Sequence, residues 1–205
     1  MVGIERASDA VASANARVRE AGIANIHFEQ GDAQSLDGVD GPFDAVVGRL
    51  VLMYLADPVA ALTRAGELVR PGGLLCFEEA DLTYDWAQPM TSLWLQVRAW
   101  VLETLARAHI PQRMGLMLPA AFGSAGLPAP ELRLEAFLRA DPAAAAWAWA
   151  NVVIALLPLM ESVGVAGAGD VGPDSLTERL LAELRAAQGI VIGPPMIAAW
   201  CRLPG

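Results

Sequence analysis

A strand–helix–strand pattern between residues 43 and 81 constrains the fold of this chain more than any other stretch. Ala45, Val46 and Val47 form a short apolar run, which predicts a strand covered on both faces by helices. Asp57 and Pro58 then predict the start of a helix, and Pro71-Gly72-Gly73 predicts its end. The apolar residues 74–77 predict the next strand. Strands connected in this way build a doubly wound α/β sheet, in which ligands bind outside the carboxyl ends of the strands.

Patterns on both sides of this unit extend the same architecture. The further predicted strands are 2–5, 26–28, 132–138 and 196–201, and the further predicted helices are 8–21, 89–108, 113–126, 143–160 and 174–187. Ser8 is expected to cap the first of these helices. No internal repeat or disordered linker divides the sequence. We therefore expect a single domain over residues 1–205, with a helical insertion at about 140–193 that serves as a lid, a substrate-binding element or a dimerisation element.

The composition excludes several classes of function. The net charge of −9 provides no basic field for a nucleic-acid backbone, so we expect no nucleic-acid partner. Cys76 and Cys201 fall in predicted buried strands and behave as small hydrophobic residues. No His, Cys or carboxylate cluster has the spacing of metal ligands, so we expect no metal. His27 is expected to be a half-buried structural histidine.

Membrane insertion and secretion are also disfavoured. Glu5 and Arg6 interrupt any apolar run at the N-terminus, so no signal peptide is predicted. A membrane-spanning helix needs about 20 apolar residues, and the apolar segment 143–160 is nearly that long. The segment is rich in alanine and lacks a basic flank, which favours a buried or interface helix. We expect a cytoplasmic protein with no membrane partner.

Polar residues follow three of the predicted strands. Glu5 ends the first strand, Asp32 and Ala33 follow the second, and Gly48-Arg49 ends the third. In nucleotide-binding folds an acid at a strand end accepts hydrogen bonds from ribose hydroxyls. The alternative is that Glu5 is a solvated loop residue and that Asp32 belongs to an ordinary Gly-Asp turn. The repeated position of these residues at strand ends favours a ligand crevice.

The run GPFDAVVGRLVLMYLADPVAAL, followed by LVRPGGLLCFEEAD, resembles the class I S-adenosylmethionine-dependent methyltransferase family. It is similar to the fourth and fifth strands of that family with the helix between them. The resemblance implies a Rossmann-like sheet, mostly parallel with an antiparallel last strand, and S-adenosylmethionine as cofactor. It implies that Glu5 binds the ribose, that Asp32 accepts from the adenine amino group, and that the Ala33 amide reaches the ring. Gly48, Arg49 and Tyr54 would line the same crevice.

One part of the family pattern is missing. The first strand and its Gly-rich turn should precede residue 2, where Met1 already begins the second strand of the pattern. We therefore expect an N-terminally shortened member, one that does not use the cofactor in the usual way, or a longer protein of which this sequence is only a part. The absent strand would lie at the centre of the sheet. We expect its place to be filled by rearrangement or by a neighbouring chain.

The sequence supports two main hypotheses of function. The first is methyl transfer to a small, mainly apolar acceptor, which needs positioning and exclusion of water more than an acid–base pair. The candidates for a base are Glu78, Glu79 and Asp81, although these three acids could instead form a solvated loop. Arg49 and Arg113 are candidates for contacts to a carboxylate of the substrate or cofactor. The side chains of Trp86, Trp94 and Trp100 could line an apolar pocket or belong to the core. No catalytic residue is assigned. The second is a non-catalytic, methyltransferase-like binding or partner subunit. A homodimer is expected in either case, and a nicotinamide-dependent enzyme is disfavoured.

Overall fold

The structure, a computed structural model, describes residues 1–139 and 142–205. Its strands are β1 Val2–Glu5, β2 His27–Gln30, β3 Phe43–Arg49, β4 Val69–Ala80, β5 Ala87–Gln88, β6 Glu131–Glu135, β7 Leu138–Arg139, β8 Ile190–Ile192 and β9 Met196–Arg202. Its α-helices are α1 Ser8–Glu20, α2 Pro58–Glu67, α3 Ser92–Arg107, α4 Met114–Ser124, α5 Pro142–Ser162, α6 Ala168–Val171 and α7 Leu176–Ala186. Short 3-10 helices span Leu52–Tyr54 and Pro173–Ser175. The predicted α/β class is confirmed.

The strands form three hydrogen-bonded ladders. β1 and β2 pair in parallel, and β3, β4, β9 and β6 form a four-stranded sheet in that order. β5, β8 and β7 form a small antiparallel sheet. β9 runs antiparallel to β4, because Gly72 N–H donates to Leu203 O at 3.1 Å while Asp81 N–H donates to Pro195 O at 3.0 Å. The predicted antiparallel last strand is therefore confirmed, whereas β8 was missed.

β3 lies at the edge of its sheet. It pairs with β4, and no other strand within residues 1–139 and 142–205 pairs with it. The prediction that the run of Ala45, Val46 and Val47 is covered on both faces is wrong for Ala45 and Val47, which are exposed, Val47 to 67%. The expectation that a rearranged or neighbouring segment fills the place beside β3 stays a prediction.

The chain divides into two compact, discontinuous units. The first comprises Met1–Phe77, Met117–Leu132 and Ala199–Gly205, and the second comprises Glu78–Leu116 and Arg133–Ala198. The single domain over residues 1–205 stays a prediction. The predicted start of the insertion at Ala140 lies outside the described residues.

In the first unit, α2 shows how local sequence produces the observed element. Asp57 Oδ1 accepts a hydrogen bond from Ala60 N–H at 2.9 Å, and Pro58 occupies the first helical position. Ala61, Leu62 and Ala65 bury the apolar side of the helix. The helix ends at Glu67, because Val69 already belongs to β4. The prediction that this helix ends only at Pro71-Gly72-Gly73 is therefore wrong.

The core of the second unit consists mainly of aromatic and aliphatic residues from α3, α5 and α7. Trp86 and Trp94 are fully buried, and the Trp86 ring stacks on Trp149 with centroids 3.8 Å apart. Such a pair contributes about 0.5–1.5 kcal/mol beyond its buried area. Trp86 and Trp94 are therefore core residues rather than walls of an open pocket, whereas Trp100 is half-buried.

Three local expectations need correction. Ser8 is the first residue of α1 rather than its cap, since Ala7 holds that position. His27 is exposed and lies 3.0 Å from Glu29, so it is not half-buried. β6 is exposed along its whole length, although its sequence alternates as a half-buried strand would. Cys201 is buried and Cys76 is half-buried.

Candidate active site

The carboxyl ends of β1 and β2 lie side by side in the first unit. Glu5 is opposite Gln30 in the parallel register, and Gly31 N–H donates to Glu5 O at 3.0 Å. Glu5 Oε1 accepts from Ala7 N–H at 2.9 Å, next to the N-terminus of α1. Its second carboxylate oxygen makes no hydrogen bond with any residue that the structure describes. An exposed carboxylate oxygen at this place is able to accept hydrogen bonds from hydroxyl groups.

Asp32 lies in a compact turn directly after β2. Its Oδ1 accepts from Gln34 N–H at 2.8 Å, and its carbonyl accepts from Leu36 N–H at 2.8 Å. Leu36 adopts φ +53°, a conformation that bulky residues rarely take. Ala33 is half-buried inside this turn. The turn therefore fixes the Asp32 carboxylate and the Ala33 backbone in one arrangement.

Gln34 joins this turn to the segment that follows β3. Its Nε2 donates to Asp57 O at 2.8 Å, and its Oε1 accepts from Asp57 N–H at 3.0 Å. Arg64 of α2 adds a donation to Ser35 O at 3.3 Å. Gln34 was not among the site residues predicted from the sequence. Its position two residues after a strand-end acid was the available signal.

The predicted residues at the end of β3 belong to the same unit. A Cβ atom on Gly48 would lie 2.3 Å from Cε1 of Phe77 on β4. The Phe77 ring therefore fits only because residue 48 has no side chain. Arg49 ends β3 and is exposed, and Leu50 after it adopts φ +53°. Tyr54 is 58% exposed in the first 3-10 helix. A glycine predicted for ligand approach thus also has a packing role, which the sequence did not reveal.

The three acids that follow the predicted strand 74–77, Glu78, Glu79 and Asp81, do not form a solvated loop. Glu78 and Glu79 lie within β4, where Glu79 is fully buried. Asp81 Oδ1 accepts from Thr83 N–H at 2.9 Å, and its Oδ2 lies 3.6 Å from Arg113 Nε. Arg113, a predicted carboxylate contact, is therefore close to a carboxylate of the protein itself.

Tyr84 is held in the second unit by two polar contacts. Its hydroxyl donates to Ile192 O at 3.0 Å, and Arg98 Nε donates to the Tyr84 carbonyl at 2.8 Å. Burial raises the pKa of Tyr84 above its ordinary value, Arg98 opposes this shift and Asp81 adds to it. Tyr84 is thus a neutral donor at physiological pH and supports the structure rather than the chemistry.

The described part of the chain holds neither a metal-binding cluster nor a membrane-spanning helix. Residues 1–139 and 142–205 hold no group of three or more His, Cys, Asp or Glu side chains suited to a metal ion. Across the same residues, no helix combines the length and apolar character that crossing a membrane requires.

Comparison with known proteins gives a family match. A family model described as a methyltransferase domain matches residues 1–114, more than half of the chain. An uncharacterized methyltransferase of Schizosaccharomyces pombe is 43% identical over 60 residues, which are 29% of this chain and 22% of that protein. The ubiquinone biosynthesis O-methyltransferase of Azorhizobium caulinodans is 32% identical over 83 residues, 40% of this chain and 32% of that enzyme. The matched part thus spans a third or less of these relatives.

A solved structure shows the same fold over the whole chain. It is phosphoethanolamine N-methyltransferase 2 of Haemonchus contortus in complex with S-adenosylhomocysteine, with a TM-score of 0.57 and 12% identity. The similarity covers 100% of this chain and 43% of that protein. The sequence match and the Rossmann-like α/β fold lead to one conclusion. The chain belongs to the class I S-adenosylmethionine-dependent methyltransferase family.

Proposed function

We propose that this protein transfers a methyl group from S-adenosylmethionine to a small, mainly apolar acceptor. The observation that supports this most is the continuous contact path from Glu5 through Gly31 and Asp32 to Gln34 and Asp57. It links the ends of β1 and β2 to the segment after β3, where doubly wound folds bind nucleotides. The family match supports the cofactor assignment.

The residues of this path fit the polar groups of a nucleoside. Glu5 would accept from ribose hydroxyls through its second carboxylate oxygen. Asp32 Oδ2 would accept from the adenine amino group, since Oδ1 already accepts from Gln34 N–H at 2.8 Å. The Ala33 amide would reach the ring. Bound S-adenosylmethionine would supply an electrophilic methyl group, and the protein would contribute mainly position and exclusion of water.

The apolar character that we propose for the acceptor is supported by exposed residues at the end of β3. Val47, Leu50 and Tyr54 are 67%, 37% and 58% exposed. Pockets for small molecules are lined mainly by such side chains. Gly48 and Arg49 lie between these residues in the chain and would complete the crevice. We assign no base, because Glu79 is buried and Asp81 is close to Arg113.

Calorimetric titration with S-adenosylhomocysteine tests the cofactor assignment. The wild-type chain should bind, and Asp32→Asn should weaken binding about tenfold or more, since it removes a charged acceptor. Asp37→Asn is the matched control, because Asp37 is an exposed acid five residues away. No binding heat at millimolar ligand would exclude the proposal for this chain.

A non-catalytic binding or partner subunit is the second candidate. The exposed edge strand β3, with Val47 67% exposed, favours it, because an uncovered apolar strand is suited to contact with another chain. The same titration separates the two candidates. A protein that binds no S-adenosylhomocysteine but forms a tight assembly would support the second.

We further propose a homodimer, with the uncovered side of α5 as its contact surface. Trp147, Val152 and Ile154 of this helix are 62%, 41% and 38% exposed. Residues 143–160 contain no charged side chain, so two copies could meet there without repulsion despite the net charge of −9. The cytoplasm is the location that we propose, on the grounds of the sequence alone.

A further inference from the structure

The Gln34 carboxamide both donates a hydrogen bond to the backbone of Asp57 and accepts one from it. Its Nε2 donates to Asp57 O at 2.8 Å, and Asp57 N–H donates to its Oε1 at 3.0 Å. Asp57 is also the N-cap of α2, with its carbonyl accepting from Ala61 N–H at 3.1 Å. A reciprocal pair of bonds fixes both the distance and the orientation of the two groups. Gln34 therefore attaches its turn to the ordered start of a helix.

The backbone of the same residue holds the Asp32 carboxylate. Gln34 N–H donates to Asp32 Oδ1 at 2.8 Å, so the side chain of Asp32 follows the position of residue 34. The turn closes through Leu36, whose φ of +53° is rarely adopted by bulky side chains. A turn with such a residue persists only when the surrounding contacts hold it. The Gln34 carboxamide supplies two of those contacts.

We propose that Gln34 is a positioning residue that orients Asp32 toward the adenine end of the cofactor. The inference rests on the proposed function and names a residue that acts through Asp32 rather than on the ligand. Because adenine would be recognised by its amino group, the effect of Gln34 is on ligand discrimination. A residue that only stabilises the fold would leave that discrimination unchanged.

The test compares two ligands that differ at this one group. S-adenosylhomocysteine carries the amino group, and S-inosylhomocysteine carries an oxo group that a carboxylate repels. The wild-type protein should prefer the first ligand. The preference is the dissociation constant of S-inosylhomocysteine divided by that of S-adenosylhomocysteine. Gln34→Ala should reduce this ratio about tenfold, the effect of one hydrogen bond to a charged group. Both constants are measured by calorimetry on the full chain.

Asn15→Ala is a closely matched control. Asn15 makes the same reciprocal carboxamide contact, with Nδ2 donating to Phe28 O at 2.8 Å and Oδ1 accepting from Phe28 N–H at 2.9 Å. It binds β2 inside the strand, away from the Asp32 turn. Asn15→Ala should lower the melting temperature and keep the wild-type preference between the two ligands.

Gln34→Glu serves as a second variant if Gln34→Ala does not fold. It keeps an oxygen for Asp57 N–H and loses the donor to Asp57 O, so it should also reduce the preference. An unchanged ratio in a folded Gln34 variant would overturn the inference. Wild-type protein that binds neither ligand would instead exclude the proposed function, so the two failures are distinguishable.

Discussion

The Glu183 carboxylate of α7 accepts a hydrogen bond at 3.0 Å from the backbone N–H of Leu93, in the first turn of α3. It also accepts from Thr91 Oγ1 at 2.5 Å. Thr91 is the N-cap residue of α3, but its side chain accepts no hydrogen bond from the backbone of that helix. A carboxylate at a helix N-terminus satisfies an orphan donor and interacts favourably with the helix dipole. Glu183 thus caps a helix other than its own.

Glu183→Ala should lower the free energy of unfolding by about 1–2 kcal/mol, the cost of losing a helix cap. Urea unfolding monitored by circular dichroism measures this. Glu183→Gln keeps an oxygen acceptor without the charge, so its loss should be smaller. Equal stability of Glu183→Ala and wild type would show that solvent satisfies the start of α3 equally well.

Gly48→Ala should destabilise the protein by about 1–3 kcal/mol, the usual cost of overpacking. The added Cβ would lie 2.3 Å from a ring atom of Phe77, a side chain that is only 6% exposed. Thermal unfolding gives the measurement. The expected loss of stability comes from the clash with Phe77, so it should be seen in the protein without ligand.

Gly123→Ala provides the control for this substitution. Gly123 lies within α4, and a Cβ there would meet no atom within 4 Å apart from its chain neighbours and the backbone of its own helix. Alanine is favoured over glycine inside a helix by about 0.5–1 kcal/mol, so this variant should be as stable as wild type or more so. If Gly48→Ala behaved in the same way, the Phe77 ring would have room to move.

The starts of some helices and strands could be predicted from the residues at those positions. Asp57 and Pro58 start α2 as expected, and β9 begins at Met196 as expected. Burial was less predictable, since it depends on what packs from elsewhere. Val47 on the edge strand β3 is apolar but exposed, and Glu79 is acidic but buried.

The candidate site was predictable in outline but not in its supporting contacts. Glu5 and Asp32 could be proposed because both follow predicted strands. The bond between Gln34 and Asp57 joins residues 23 positions apart, and no periodicity or spacing rule points to such a pair. β8 was missed for a related reason, because its three residues pair with the distant strands β5 and β7.

Tyr84→Phe should change how stability depends on alkaline pH. Burial raises the pKa of Tyr84 above its ordinary value of 10.0, so the folded state keeps a proton that the unfolded state releases. The stability due to this group is present below pH 10 and is lost as the pH rises further. The variant should therefore show a shallower decline above that pH.

The same variant should lose about 1 kcal/mol at neutral pH, because Ile192 O loses its donor. Urea unfolding at several pH values between neutral and alkaline separates the two effects. Parallel stability curves for the two proteins at high pH would contradict the assignment of the alkaline loss to Tyr84.

The homodimer proposal predicts a specific arrangement of α5. In an antiparallel pair of helices centred on Asn151, Trp147 would lie opposite Ala155 and Ile154 opposite Ala148, since both pairs of numbers sum to twice 151. Large residues would then face small ones, as well-packed interfaces require. Light scattering should give twice the chain mass of 21.6 kDa for the wild type.

Trp147→Glu should yield the monomer mass, because it places a charge on a surface that association would bury. Leu95→Glu is the control, since Leu95 of α3 is also well exposed, at 53%, and should leave the dimer intact. Ala155→Trp should dissociate the pair as well, because two indole rings would then compete for one space. A monomeric wild type would exclude the dimer. A dimer that persists in Trp147→Glu would show that α5 is not its contact surface.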